Sequence, residues 1–199
     1  MWYNENMVGN INPEKLYGTW NEGFALDLHT ISSEFIEYDN NGIPKFDSKR
    51  SYVGELLYKL KYKNDINAAD EIVAVALPFL KKWLDNKDVE IVVPAPFSHN
   101  RKTQPVFILA EKLAAALGKN CRTNLLIKTS SGESKNQDKE VVIKATGSDK
   151  IPTNVLLIDD IFQTGATLNA CVKILREGYK IDNVFVLCIT KRRKTLVYV

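Results

Sequence analysis

Histidine is almost missing from this chain of 199 residues, which carries only His29 and His99. A Ser/His/Asp triad or a histidine-built metal centre therefore has little to draw on. The three cysteines, Cys121, Cys171 and Cys188, never fall at CxxC spacing. That argues against a zinc ribbon or a disulfide framework, and for buried structural thiols. No apolar run comes near the roughly 20 residues that span a bilayer. The opening MWYNENMVGN has no basic stretch ahead of an apolar core, so the expectation is a soluble, cytoplasmic protein with no membrane partner. Two phosphate signatures are also missing: GxxxxGK followed by Ser or Thr, which marks a nucleoside-triphosphate loop, and GxGxxG, which marks a dinucleotide fold.

What remains is ordinary globular material, 45% hydrophobic and 26% charged, with Gly 10 and Pro 7. Such a chain buries a real core, needs no second independent domain and leaves a homodimer open. A net charge of +3 favours small anionic ligands but falls short of a nucleic-acid footprint. The KRRK run at 191–194 has no interleaved aromatics and reads as a solvated tail. A nucleic-acid partner is disfavoured by this pattern but stays open.

Along the chain, residues 1–22 are polar with scattered aromatics and read as an extended arm. FALDLHT alternates Phe24, Leu26 and Leu28 with polar positions, and SEFIEYDNNG runs into a turn; together they predict a small antiparallel element. Helical spacing follows at Val53, Leu56, Leu57 and Leu60, and again at Ile72, Val73, Ala76, Leu77 and Leu80, where Pro78 is expected to kink or divide the helix. EIVVPAPFS has the profile of a buried parallel strand, and a helix striped by Val106, Leu109, Ala110, Leu113 and Leu117 should end at Gly118. NLLIK, residues 155–159 and VFVLCIT read as further strands, and a last helix runs to about Arg176 with Gly178 beyond it. Strands alternating with helices predict an α/β fold with a mostly parallel sheet covered on both faces. An N-terminal part over 1–52 and a core over 53–199 would form one compact unit.

The segment VLLIDDIFQTGATL, residues 155–168, carries the chemistry. Two adjacent carboxylates at the end of an apolar strand repel each other and resist desolvation, so something must compensate. In a parallel sheet, ligands bind beyond the carboxyl ends of the strands, which is where Asp159 and Asp160 fall. Gly165 allows a tight turn, Thr164 and Thr167 offer hydroxyls, and the free amides of a helix start suit a phosphate. A lone acid pair could merely open a helix. Acids beside a phosphate cradle point instead to a ligand with both a phosphate and a vicinal diol, and phosphorylated ribose fits.

VLLIDDIFQTGAT resembles the phosphoribosyl-pyrophosphate (PRPP) motif of type I phosphoribosyltransferases, and within them the ComF-like group. Phe162 and Gln163 depart from the usual small or aliphatic choices. KLKYKND, VVPAPFS and the stretch around KNQD are weaker echoes, and the likeness covers about residues 53–190. It implies a type I phosphoribosyltransferase-like sheet with a small N-terminal antiparallel hood. Asp159 and Asp160 would contact the ribose hydroxyls, while Gln163, Thr164, Gly165, Ala166 and Thr167 would wrap the 5′-phosphate. PAPFSHNRKTQ takes the place of the pyrophosphate loop, with Pro96 and Ser98 on the substrate and Arg101 and Lys102 as anion contacts; RKTQPV stands where ComF-like proteins carry an RGFNQ-type segment. His99 lies beside these cations. The long loop 129–140 matches the mobile catalytic loop, and its Lys135, Gln137 and Lys139 would close over pyrophosphate. Many ComF-like proteins also begin with a cysteine-rich zinc segment, which this sequence does not show.

The function so implied is transfer of phosphoribose from PRPP to a nitrogen acceptor with release of pyrophosphate. Mg2+ would be held mainly through the substrate. Breakage of a bond to a good leaving group asks for positioning and charge stabilisation more than for a nucleophile, and a chain poor in histidine can supply both. Trp20, Phe24 and Tyr38 are candidates for the acceptor pocket. The alternative is a non-catalytic ComF-like protein that senses PRPP or a nucleotide and acts in DNA uptake or regulation.

Overall fold

The computed structural model describes residues 11–97, 104–129, 142–146 and 152–193. Its main sheet has six strands: β1 (Glu14–Lys15), β2 (Glu22–Leu28), β5 (Ile91–Pro94), β6 (Asn120–Cys121), β9 (Asn154–Phe162) and β10 (Asn183–Lys191). They lie in the order β1-β2-β10-β9-β5-β6, and every neighbouring pair is parallel except β1 with β2. Helices α1 (Tyr52–Tyr62), α2 (Asn67–Leu84) and α3 (Pro105–Leu117) join one layer, and α4 (Ala166–Tyr179) forms the other.

Strand periodicity explains the two layers, because alternate side chains point to opposite faces. Leu156, Ile158, Leu187 and Ile189 join the cluster of α1, α2 and α3, whereas Val155, Leu157, Val186 and Cys188 join that of α4. The predicted mostly parallel sheet with helices on both faces is the observed one.

Several elements differ from expectation in informative ways. The strand expected to pair with its successor in an antiparallel unit lies in the main sheet as β2, parallel to β10 with Phe24 opposite Leu187. It is buried on both faces: Leu26 packs toward α1 and α2, and Ala25 toward α4. The N-terminal antiparallel element is formed by β3 (Thr30–Tyr38) and β4 (Pro44–Arg50) instead. The polar PKFDSKR of β4 shows too little alternation to be read as a strand. Its turn is built by Asp39, whose carboxylate accepts from the amides of Asn41 and Ile43, and by Gly42 at φ 74.

NLLIK contributes β7 (Leu126–Thr129), which pairs antiparallel with β8 (Val142–Ala145) outside the main sheet. α2 runs through Pro78 as one helix. Pro78 and Ala74, whose carbonyl loses its partner, both lie on the exposed side where water can replace the bond. α4 extends past Arg176 to Tyr179 and takes in Gly178, leaving Lys180 as its left-handed cap at φ 59. Glycine suits that interior position because a Cβ there would stand 3.3 Å from Ala145 Cβ on β8. α3 begins with Pro105, a residue suited to a first helical position, and ends at Gly118 in the left-handed conformation, the end its sequence predicts.

Candidate functional site

The carboxyl ends of β2, β5, β9 and β10 lie along one edge of the sheet, and the segment with the acid pair emerges there. β9 extends through Asp159 and Asp160 to Phe162, and a bend over 163–165 leads into α4. Gly165 caps the helix at φ 82 and ψ 0, a conformation that L side chains rarely adopt. The Thr164 hydroxyl accepts the Ala166 amide at 3.3 Å, and the Gly165 carbonyl accepts from Asn169 at 2.8 Å. A cavity of about 170 Å³ opens at this turn, lined by Asp159, Ile161, Phe162, Gln163, Thr164, Gly165, Ala166, Thr167 and Leu168. One carboxylate, two threonine hydroxyls and a helix start thus share one small concavity, a setting suited to a phosphate ester.

The two acids lie on opposite faces of β9. Asp159 continues the Val155 and Leu157 row toward α4, and the buried Cys171 and Cys188 share its cluster. Its carboxyl accepts the Asp160 amide at 2.8 Å. Desolvation, and after it the charge of Asp160, pushes its pKa up to about 7, against a downward pull first from that amide hydrogen bond and then from Lys61 and Lys128. Burial, reinforced by the Asp159 charge, raises both thiols well above their ordinary value. They are inert packing groups, as their scatter in the sequence suggests.

Asp160 turns toward α1, where its carboxylate meets Lys61 Nζ at 2.6 Å. The pair is largely sheltered, with side-chain exposures of 13% for Lys61 and 24% for Asp160. His29, just past β2, brings its Nδ1 to 3.2 Å from the buried Thr190 hydroxyl. Burial lowers its pKa first, and the charges of Arg50, Lys61 and Arg192 lower it further. Lys61 and Lys128 therefore belong to the electrostatics of the site. The echo KLKYKND contains Lys61 and was the one sequence signal for it; nothing marked Lys128.

Pro96 is buried just beyond β5, whose Pro94 pairs with Ile158, two residues before Asp160. Ser98, His99, Arg101 and Lys102 lie outside the described residues, as do Lys135, Gln137 and Lys139. β7 and β8 bracket that second stretch, and the pairing of Thr129 with Val142 brings its two ends together. Tyr179 braces the base of this hairpin: its hydroxyl is 2.9 Å from the Leu125 carbonyl and 2.8 Å from that of Thr146, and it accepts the Thr146 amide at 2.9 Å.

The three acceptor-pocket candidates are not brought together. Trp20 is buried on the α4 side, donates its indole N–H to the Leu16 carbonyl at 3.1 Å, and meets Phe162 edge-on at 6.3 Å. It supports the turn from below. Phe24 meets the stacked rings of Phe79 and Trp83 of α2 edge-on, and Tyr38 is exposed on the β3–β4 hairpin against Phe35. Aromatic identity alone did not tell a core or hairpin ring from a pocket wall.

Residues 106–195 match the family model of the phosphoribosyl transferase domain. Among solved structures, adenine phosphoribosyltransferase from Saccharomyces cerevisiae, complexed with an imino-altritol bisphosphate and adenine, superposes with a TM-score of 0.51 at 11% identity, over 81% of this chain and 85% of that one. Adenine phosphoribosyltransferase from Trypanosoma brucei, in complex with AMP, pyrophosphate and ribose 5-phosphate, has a TM-score of 0.47 at 17% identity, over 85% of this chain and 71% of that one. No curated protein sequence matches the chain. The architecture is that of the type I phosphoribosyltransferase fold.

Proposed function

We propose that this protein is a phosphoribosyltransferase that takes phosphoribose from PRPP to a nitrogen acceptor and releases pyrophosphate. The observation that carries the reading is the cavity in which Asp159 and the turn 163–167 meet at the carboxyl end of a parallel strand. The family match over 106–195 includes this segment. The turn would receive the 5′-phosphate, with Gly165 giving it room and Thr164 and Thr167 supplying hydroxyls. Asp159 and Asp160 would accept hydrogen bonds from the ribose hydroxyls.

Among the described residues no group of three or more His, Cys, Asp or Glu side chains forms a metal cage. Mg2+ keeps its waters and binds largely through substrate oxygens; when bound it would offset the charge of the departing pyrophosphate. The protein's part is then to align the ribose and exclude water. Arg101 and Lys102, with Lys135 and Gln137 of the second stretch, are proposed to meet the pyrophosphate, and Pro96 and Ser98 to line its approach.

The test combines binding with turnover. PRPP with Mg2+ should raise the melting temperature, since ligand at a hundredfold excess over its dissociation constant adds about 2.7 kcal/mol. ATP and NAD should do far less. Pyrophosphate should appear when a panel of bases and amines is supplied. A melting curve unmoved by PRPP, ribose 5-phosphate and nucleoside monophosphates would refute the site. Tight PRPP binding with no release for any acceptor would favour the ComF-like sensing alternative.

A further inference from the structure

The run KLKYK at the end of α1 holds three lysines, two in the helix and Lys63 at its C-cap, and they have different fates. Lys59 and Lys63 are exposed, whereas Lys61 turns inward and holds Asp160 at 2.6 Å. α1 does not need this contact to dock, because Val53, Leu56, Leu57 and Leu60 are already buried on the sheet. Its start is pinned separately: the Ser51 hydroxyl accepts the Gly54 amide at 3.0 Å and donates to the Leu28 carbonyl at 2.5 Å. The lysine reaches across to a strand end where two carboxylates stand next to each other beside a cavity suited to phosphate.

Two adjacent carboxylates are a poor neighbour for a polyanion. We propose that Lys61 is a positioning residue of the site, serving as counter-ion to Asp160 so that the acid pair can receive the diol of a phosphorylated ribose without repelling its phosphates. The inference rests on the phosphoribosyl reading above and adds to it a residue on the opposite layer of the fold. The charged and titratable groups around the pair are Lys61 from α1, Lys128 from β7, His29 beyond β2, Arg50 at the end of β4, Arg192 beyond β10, and the thiols of Cys171 and Cys188. Of these, Lys61 forms the ion pair with Asp160. With both acids ionised, Lys61 leaves the three groups a single net negative charge.

The experiment compares wild type, Lys61→Met, Lys61→Gln and Lys61→Arg by calorimetric titration with ribose 5-phosphate, alongside carbon-detected titration of the aspartate carboxyls. Lys61→Met and Lys61→Gln should weaken binding about tenfold, because a partly buried carboxylate loses its counter-ion. Lys61→Arg should recover most of the affinity, since it keeps the charge and can reach a carboxylate. The Asp159 carboxyl should titrate at higher pH in Lys61→Met, a readout that needs no ligand. If Lys61→Met is folded and binds as tightly as wild type, or if Arg rescues no better than Gln, the proposal is overturned. Unfolding of both the Met and the Gln variant would also overturn it, by making the lysine a structural tie. If wild type itself binds no ribose 5-phosphate, the phosphoribosyl reading falls and the role of Lys61 falls with it.

Discussion

The ring of Phe162 stands over Gly165 so closely that a Cβ on residue 165 would lie 3.1 Å from its Cε2 and 3.3 Å from its Cζ. Phe162 is held in turn: Trp20 meets it edge-on, and its carbonyl accepts the Arg192 amide at 2.9 Å. The positive φ of residue 165 already favours glycine, and the ring of Phe162 adds a close contact that any Cβ there would have to displace. Gly165→Ala should cost about 1–2 kcal/mol, from the left-handed φ and the ring contact together. Gly165→Val should cost more and abolish ribose 5-phosphate binding. Calorimetry with a folded Val variant that still binds would place the phosphate elsewhere.

Asp159 makes stability depend on pH in a direction opposite to that of most carboxylates. Its folded pKa is raised to about 7 from 3.8, so between those values the folded state holds a proton that the unfolded state has released. Stability then falls as pH rises through this window and levels off above it. Asp159→Asn removes the dependence. Its melting temperature should exceed that of wild type at pH 8, by the equivalent of about 1–3 kcal/mol, and the gap should close toward pH 4. A gap of constant size would mean that Asp159 titrates normally.

Asp160→Asn should behave differently although it removes the same charge from the next residue. Asp160 holds Lys61 in a sheltered ion pair, and losing one partner leaves the other desolvated and unpaired. We expect a loss of about 1–3 kcal/mol where Asp159→Asn gains. Denaturant unfolding of the two single variants at pH 8 distinguishes them, and equal effects would refute the division of roles.

Tyr179 ties the β7–β8 hairpin to α4 through one hydroxyl with three backbone partners. Tyr179→Phe leaves these groups without that partner at an 8% exposed position, at a cost of about 1–3 kcal/mol. Amide exchange should quicken in β7 and β8 first. Because the hairpin brackets the stretch proposed to close over pyrophosphate, turnover should fall more than ribose 5-phosphate affinity.

Arg101→Ala with Lys102→Ala should lower pyrophosphate release far more than it weakens ribose 5-phosphate binding, because the proposed contacts act on charge that grows as the leaving group departs. Parallel loss of both would make the two cations general anion attractors instead.

Local pattern alone determined the strand, acid pair, glycine turn and helix of residues 155–168, and the parallel core around them. Each is written in contiguous residues: an apolar run, a change of period, a residue able to take positive φ. The end of α3 at Gly118 was legible for the same reason. Other features were decided only in three dimensions. That β2 is a central strand and not half of a hairpin depends on which layers cover its two faces, and its own alternation does not record this. Trp20, Phe24 and Tyr38 are alike as aromatics but end in three different surroundings. Gly178 reads as a helix stop until β8 is seen passing beside it. Above all, Lys61 meets Asp160 across 99 positions of chain. No spacing rule spans that separation; the packing of α1 on the sheet turns this lysine, out of three near neighbours, toward the acid.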